Sequence, residues 1–266
     1  MLVLAALGEI LEMRLKKAVS HGFQFVSATT WDDAVDNILS QPVEIAVVNP
    51  RLSGELRTQE VERIRLLFPS LPLILYGELS PKIAQVLLKL GNAGIRDAVM
   101  AGYDDHPEKL RELLVAQTKR AVSGELISAI LEYLEWCPDE LRWAIEMIIR
   151  EPGSIQSVQD LAERARMDRR TCGRWFVRAG LPPPSVMLMV LRVLYAHRLL
   201  QDPGYTVEDV ASKLGYGQTR TLAQNVKEVF GLTPGELRIV LSRSEAMSIV
   251  RQRYLEQSRE KLADAS

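Results

Sequence analysis

The sequence has few of the residues that build metal, disulfide and membrane proteins. It holds two cysteines, Cys137 and Cys172, and three histidines that lie far apart, which predicts neither a disulfide framework nor a metal site. No apolar run approaches the roughly 20 residues that span a bilayer. The apolar start Met1–Ala6 has no basic residues before it, so a buried strand is expected there and not a signal peptide. These absences predict a cytoplasmic protein without a membrane segment, metal or cofactor.

A large excess of charge of one sign is also missing, but the charges are unevenly distributed. The whole chain has a net charge of −1. Residues 1–118 and residues 119–153 each carry −3, whereas residues 154–238 carry +4 and residues 239–266 carry +1. The overall balance argues against a general polyanion binder. The local surplus is what phosphate contact requires, and its modest size predicts moderate, salt-sensitive affinity.

The first 118 residues alternate short apolar runs with amphipathic helical patterns. The runs predict five buried strands, which are Leu2–Ala6, Phe23–Ser27, Ile45–Asn49, Leu71–Tyr76 and Ile95–Met100. The helical patterns that follow them are Ile10–Val19, Trp31–Leu39, Thr58–Leu67, Pro81–Leu90 and Pro107–Ala116. Five strand–helix repeats predict a doubly wound, flavodoxin-like α/β domain with a parallel sheet and helices on both faces.

This half resembles the receiver domain of bacterial response regulators. The resemblance rests on the strand–helix order and on the segments Val47–Gly54 and Gly94–Val99. It implies a phosphorylatable aspartate after the third strand and an acid pair that holds Mg²⁺ after the first. It also implies a hydroxyl residue after the fourth strand and a lysine after the fifth.

None of these four functional positions has the residue that phosphorylation needs. Asn49 stands at the position of the aspartate, and residues 5–8 supply no acid for a hard cation. Tyr76 or Gly77 stands at the position of the hydroxyl residue, and Ala101 at that of the lysine. We therefore predict a pseudo-receiver that is not phosphorylated and serves dimerisation or binds a partner protein or small ligand.

Residues 119–153 and 239–266 have helical patterns without strands. We interpret 119–153 as a helical connector and 239–266 as a C-terminal helical tail that folds back, frays or pairs with another subunit. The predicted domains are thus 1–118, 119–153, 154–238 and 239–266.

Two segments of residues 154–238 share one pattern, an amphipathic helix, a tight turn and a second helix. The first covers Val158–Ala165 and 168–178, and the second covers Thr206–Tyr216 and Thr219–Phe230. A single helix-turn-helix pattern is a weak indication, because short helix pairs are common. Two with this separation predict an all-α domain that reads DNA.

These residues resemble the AraC/XylS-type DNA-binding domain along nearly their whole length. The shared segments are Leu161-Ala162, Arg174-Trp175-Phe176, Leu191-Arg192 to Ala196, Leu199-Leu200, Val210-Ala211, Leu214-Gly215-Tyr216, Phe230-Gly231, and Thr233-Pro234 with Leu237-Arg238. The chain departs from the family pattern at Pro182–Pro184 and at Val226, where a phenylalanine is usual. Neither departure removes the architecture.

A recognition helix needs an apolar back and a polar front. The expected back of the first is formed by Cys172, Trp175 and Phe176, with Asp168 as the N-cap; Leu222, Val226 and Val229 form the back of the second. The residues expected to face DNA are Arg169, Arg170, Thr171, Gly173 and Arg174, and Thr219, Arg220, Thr221, Gln224 and Lys227.

The resemblance implies base contacts for most of these front residues. Arginine suits guanine best, so Arg170, Arg174 and Arg220 are our candidates for specificity, with phosphate contact or surface charge as the alternative. Gly173 admits close approach but cannot specify a base. A linker helix of about 16 residues, ~24 Å long, predicts recognition helices about one DNA turn apart.

We expect a transcription regulator that binds double-stranded DNA, acts as a homodimer and has no enzyme activity. One alternative is a module whose N-terminal sheet edge binds a nucleotide or metabolite that gates DNA affinity. Another is an enzyme on a flavodoxin-like sheet, but no phosphate-binding glycine loop, nucleophile elbow or acid pair in the sequence supports it.

Overall fold

The computed structural model describes residues 1–19, 22–78 and 89–256. Contacts divide the chain into two compact units: unit 1 is Met1–Gly124 with Asp202–Gly204, and unit 2 is Glu125–Gln201 with Tyr205–Ser266. Residues 125–153 thus group with unit 2, whereas the finer four-part division of the sequence stays a prediction.

Unit 1 is built on a five-stranded parallel sheet. Its strands are β1 (Leu2–Ala6), β2 (Gln24–Ser27), β3 (Val43–Val48), β4 (Leu73–Glu78) and β5 (Asp97–Ala101), in the order β2-β1-β3-β4-β5. The four pairings are all parallel. β3 is buried at each of its six positions, as expected where helices cover both faces of a sheet.

The helices of unit 1 divide between the two faces of the sheet. They are α1 (Glu9–Ala18), α2 (Trp31–Ser40), α3 (Thr58–Leu67) and α4 (Pro107–Thr118). Leu11 and Leu15 of α1 and Leu110 and Leu114 of α4 share one core cluster with alternate sheet residues such as Val47. The intervening sheet residues are also buried, as are the apolar sides of α2 and α3, so the predicted doubly wound fold class is confirmed.

The sequence locates these elements to within a few residues. α3 has the predicted bounds, and α2 begins at the predicted Trp31, where Thr30 and Asp33 form a capping box. The predicted helix Pro81–Leu90 lies outside the described residues up to residue 88; residues 89–92 are helical.

Unit 2 is all-α and is built around one buried helix. In chain order its helices are α5 (Val122–Glu132), which begins in unit 1, α6 (Asp139–Arg150), α7 (Val158–Arg164), α8 (Arg169–Arg178), α9 (Pro184–Leu200), α10 (Val207–Lys213), α11 (Thr219–Phe230), α12 (Pro234–Val240) and α13 (Arg243–Val250). A π-helical turn, Arg251–Glu256, follows α13. Residues 190–200 of α9 are buried all round, because α9 contacts α6, α7, α8, α10, α11, α12 and α13.

Within the described residues, the predicted C-terminal tail is helical except at residues 241–242. α13 and the π-helical turn account for residues 243–256, and residues 257–266 lie outside the described ranges. Across the described chain, no helix is long and apolar enough to cross a membrane. The same residues include no group of three or more histidine, cysteine or acidic side chains placed to hold a metal ion.

Candidate nucleic-acid interface

Helices α7–α8 and α10–α11 form two copies of one structural unit. Each copy begins with a capping box, Ser157 with Asp160 in the first and Thr206 with Asp209 in the second. In each copy, the carboxylate of the aspartate accepts a hydrogen bond from the backbone N–H of the capping residue. The backbone N–H of the same aspartate donates to the hydroxyl of the capping residue. These bonds satisfy amide groups that the start of a helix leaves without partners.

The turns of the two copies are closed by matching hydrogen bonds. The amide of Met167 donates to the carbonyl oxygen of Ala162 at 2.9 Å, and the amide of Tyr216 donates to that of Ala211 at 2.9 Å. The residue before each donor has a positive φ, 53° at Arg166 and 72° at Gly215. The same backbone geometry is therefore built from a glycine in one copy and an arginine in the other.

The second turn also lies against the chain that enters the first copy. A Cβ atom on Gly215 would lie 2.5 Å from the carbonyl oxygen of Gly153 and 2.5 Å from Nε2 of Gln156. Gln156 itself donates to Gly153 at 2.8 Å. Only a residue without a side chain allows this approach, so the contact helps to fix the two copies relative to each other.

The second helix of the first copy, α8, has a buried apolar back. Cys172 and Phe176 are buried, and Arg169, Arg170 and Arg174 are exposed. Thr171 and Gly173 are intermediate. Trp175, the third residue expected on the back of α8, is less buried than the other two: its side chain is partly buried and borders a surface cavity.

A chain of side-chain contacts crosses the first turn of α8. Asp168 accepts from the amide of Thr171 at 2.9 Å, and Arg174 donates to the hydroxyl of Thr171 at 3.0 Å. Hydrogen bonds from the Thr171 side chain and backbone hold the pKa of Asp168 below its usual value. Asp168 is thus the N-cap that the sequence predicted, and Thr171 orients the guanidinium of Arg174.

The second helix of the second copy, α11, separates its two faces more completely. Leu222, Val226 and Val229 are buried. All five predicted DNA-facing residues, Thr219, Arg220, Thr221, Gln224 and Lys227, are exposed. The helix ends at Gly231, which has a left-handed backbone conformation. The backbone N–H of Gly231 donates to the carbonyl oxygen of Lys227.

The buried helix α9 contacts the second copy through a charged group that the sequence did not single out. The guanidinium of Arg192 stacks over the ring of Tyr216, 4.1 Å from its centroid, and donates to the carbonyl oxygen of Leu214. Lys213 donates to the hydroxyl of Tyr205 at 3.0 Å. The contacts of Arg192 tie α9 to the turn of the second copy, whereas the Lys213 contact lies within that copy and the segment that enters it. No local sequence pattern predicts these contacts, because they depend on tertiary packing.

In unit 1, the residues that stand at the positions of a receiver's phosphorylation site lie at the carboxyl end of the sheet. A Cβ atom on Gly77 would lie 3.2 Å from Oδ1 of Asn49, which accepts from the amide of Arg51 at 2.9 Å. Gly77, and not Tyr76, is therefore the residue that faces Asn49. Ala101 ends β5 beside Glu78, so no cationic side chain occupies that position.

Tyr76 instead belongs to the opposite face of the sheet and to a polar network. Its ring lies in the core cluster, and its hydroxyl donates to Asp105 at 2.9 Å. Burial raises the pKa of Tyr76, and Asp105 adds to this shift. Burial also opposes ionisation of Asp105, but hydrogen bonds from Arg14 and Tyr76 outweigh it and lower the pKa of that carboxyl. The network joins α1 to the segment that enters α4.

The fold and this geometry define a class of protein with an α/β unit and a repeated helix-turn-helix. The family described as "Helix-turn-helix domain" matches residues 161–239. A curated protein of Streptomyces lividans, described as an AraC-like transcription regulator, is 30% identical over 95 residues; they cover 36% of this chain and 31% of that protein. The chain thus spans about a third of the length of this relative.

Two response regulators are among the solved structures that are similar to this chain. The RcsB response regulator of Salmonella typhimurium aligns with a TM-score of 0.37 and 16% identity, over 70% of this chain and 96% of that one. Full-length FixJ from B. japonicum aligns with a TM-score of 0.39 and 13% identity, over 85% and 97%.

The C-terminal match identifies the second unit more closely. Residues 161–239 form a helix-turn-helix domain of the AraC type, which confirms the resemblance stated from the sequence. Unit 1, with five parallel strands in the order β2-β1-β3-β4-β5, has a receiver-like fold.

Proposed function

We propose that the protein is a transcription regulator that binds specific sequences of double-stranded DNA through α8 and α11. The observation that carries the proposal is the repetition of one unit whose second helix has a buried apolar back and an exposed polar front. The predicted contact residues Arg170, Arg174 and Arg220 are exposed, and arginine is the side chain best suited to guanine in the major groove.

The electrostatic character of α8 supports the same proposal. This ten-residue helix carries four arginines, Arg169, Arg170, Arg174 and Arg178, and no acid. Its acidic N-cap, Asp168, is engaged with Thr171. Such a helix attracts phosphate by charge and leaves its front free to reach base edges.

We further propose that unit 1 is not phosphorylated and acts as a homodimerisation or partner-binding unit. Asn49 offers an amide where phosphoryl transfer needs a carboxylate, and its oxygen is already an acceptor for Arg51. The end of β1, Ala5–Ala6, and the following Leu7 and Gly8 supply no carboxylate ligand for Mg²⁺. The regulator would then take its signal by a route other than phosphorylation.

Selection from random double-stranded DNA with the full chain tests the proposed function. We expect a pair of short half-motifs about one helical turn apart, read by α8 and α11. The matched comparison is Arg170→Ala with Arg220→Ala, against the control Arg142→Ala with Arg150→Ala, which removes the same charge from α6. Loss of the motif only in the first double variant supports the proposal, and no enrichment with the wild type contradicts it.

A further inference from the structure

A cavity of about 300 Å³ opens on the surface of unit 2 between the start of α6 and the end of α8. It is lined by Trp136, Pro138, Glu140, Leu141, Trp175, Arg178 and Ala179. Its volume is at the low end of the range of roughly 300–1,000 Å³ that is typical of small-molecule sites. The cavity therefore suits a small ligand and not a polypeptide.

The walls of this cavity are aromatic. Trp136 and Trp175 are each partly buried, so both indoles present surface to an occupant. Trp136 donates through Nε1 to the carbonyl oxygen of Tyr133 at 3.0 Å, which fixes its ring. Leu141 and Ala179 are buried. An aromatic ring that enters the cavity would contact both indoles, and aromatic pairs gain energy beyond their buried area.

Two opposite charges stand at the rim of the same cavity. Glu140 near the start of α6 and Arg178 at the end of α8 are both exposed. Among the residues that the structure describes, neither forms an ion pair with the other or with a third residue. A carboxylate and a guanidinium that border one apolar cavity and stay unpaired can each accept a group of opposite charge from a ligand.

We infer that this cavity binds a small aromatic zwitterion, an aromatic amino acid or a close relative of one. The ring packs against Trp136 and Trp175, the ammonium group faces Glu140 and the carboxylate faces Arg178. A purely cationic ligand would meet repulsion from Arg178, and a purely anionic ligand would meet repulsion from Glu140. This inference concerns binding in the absence of DNA and does not rest on the proposed function.

Calorimetric titration of the full chain with L-phenylalanine tests this inference. The comparison ligands are phenethylamine, 3-phenylpropanoate and L-alanine, each of which lacks one of the three groups. We expect phenylalanine to bind one per chain and at least about tenfold more tightly than the other three. No heat of binding at millimolar phenylalanine, or equal affinity for a ligand that lacks one charge, overturns the inference.

Substitutions of the cavity residues test whether the ligand binds there. Trp175→Leu is expected to weaken phenylalanine binding about tenfold or more. Trp143→Leu is the matched control, because Trp143 is exposed on α6 and does not line the cavity. If Trp175→Leu fails to fold, the exposed rim variants Glu140→Gln and Arg178→Gln carry the test, and each should reduce the preference for phenylalanine over the ligand that lacks the matching charge. Unchanged affinity in all cavity variants overturns the inference.

Discussion

At the scale of single residues, the two turns of the repeated unit differ at the position with a positive φ. Arg166 adopts φ 53° where the second copy has Gly215 at φ 72°. A left-handed backbone costs a non-glycine residue about 1 kcal/mol or more, and Arg166 is exposed and forms no ion pair among the described residues. The first turn therefore stores strain that the second does not.

Replacing Arg166 with glycine should relieve this strain. We expect Arg166→Gly to raise the free energy of unfolding of unit 2 by about 0.5–1 kcal/mol, as measured by urea denaturation with circular dichroism. The matched change in the second copy, Gly215→Ala, should lower it by more than that, because the new Cβ would collide with Gly153 and Gln156. A destabilised Arg166→Gly variant would show that the arginine makes a favourable contact.

At Gly173, one substitution is expected to raise stability and to weaken DNA binding. It lies inside α8 with open space around the position of a Cβ, so Gly173→Ala should stabilise the helix by about 0.5–1 kcal/mol. If the backbone of α8 approaches the base pairs at this point, the same variant should bind its operator more weakly. Thermal unfolding and fluorescence anisotropy with operator DNA measure both effects, and improved stability with unchanged affinity would remove Gly173 from the interface.

At the scale of elements, the proposed sequence specificity depends on the arginines of α8 and α11. Arg170→Ala and Arg220→Ala should each cost about 1–3 kcal/mol of specific binding. They should relax the preference at one base pair of the corresponding half-motif. Arg150→Ala, which removes a charge from α6, is the control and should leave the preference unchanged. An equal loss on all sequences would mean that the arginine contacts phosphate.

The buried helix α9 gives unit 2 a dependence on pH. His197 is fully buried; its Nε2 lies 3.0 Å from the carbonyl oxygen of Leu241, and its Nδ1 has no hydrogen-bond partner among the described residues. Burial lowers the pKa of His197 from the ordinary 6.5, and the charges of Arg198 and Arg243 lower it further. Below pH 6.5 the unfolded chain therefore binds a proton that the folded chain rejects.

Unit 2 should accordingly lose stability as the pH falls below about 6.5. The largest slope that one such group can give is about 1.4 kcal/mol per pH unit. Urea titrations at pH 7.5 and pH 5.5 measure the loss, and His197→Gln should reduce it. His106→Gln, which changes an exposed histidine of unit 1, is the control. The same pH dependence in wild type and His197→Gln would exclude His197 as its source.

The sequence predicts these elements well where local patterns decide and poorly where packing decides. α3 and α11 have the predicted bounds because apolar periodicity marks both helices and Gly231 marks the end of α11. The burial of Arg192, His197 and Arg198 in α9 has no local signature. The partial exposure of Trp175 was not predicted, because helical spacing gives the direction of a side chain but not what covers it.

At the scale of the whole molecule, unit 1 keeps a receiver-like sheet without the groups of phosphoryl transfer. Asn49 faces Gly77, and Ala101 ends β5. Incubation with acetyl phosphate and Mg²⁺ should therefore leave the mass of the full chain unchanged. The matched variant Asn49→Asp restores the carboxylate alone and should also stay unmodified, since residues 5–8 at the exit of β1 include no acid. A stable gain of one phosphoryl group on the wild type would contradict a phosphorylation-independent unit.

The most direct test of the central claim is the base-by-base preference of the full chain, measured by selection from random double-stranded DNA. The account predicts two half-motifs about one helical turn apart, with Arg170→Ala altering one half and Arg220→Ala altering the other. Repetition of the whole pair would agree with a homodimer. If no motif is enriched, or if both variants weaken the same base pairs, the two copies do not read DNA as separate recognition units.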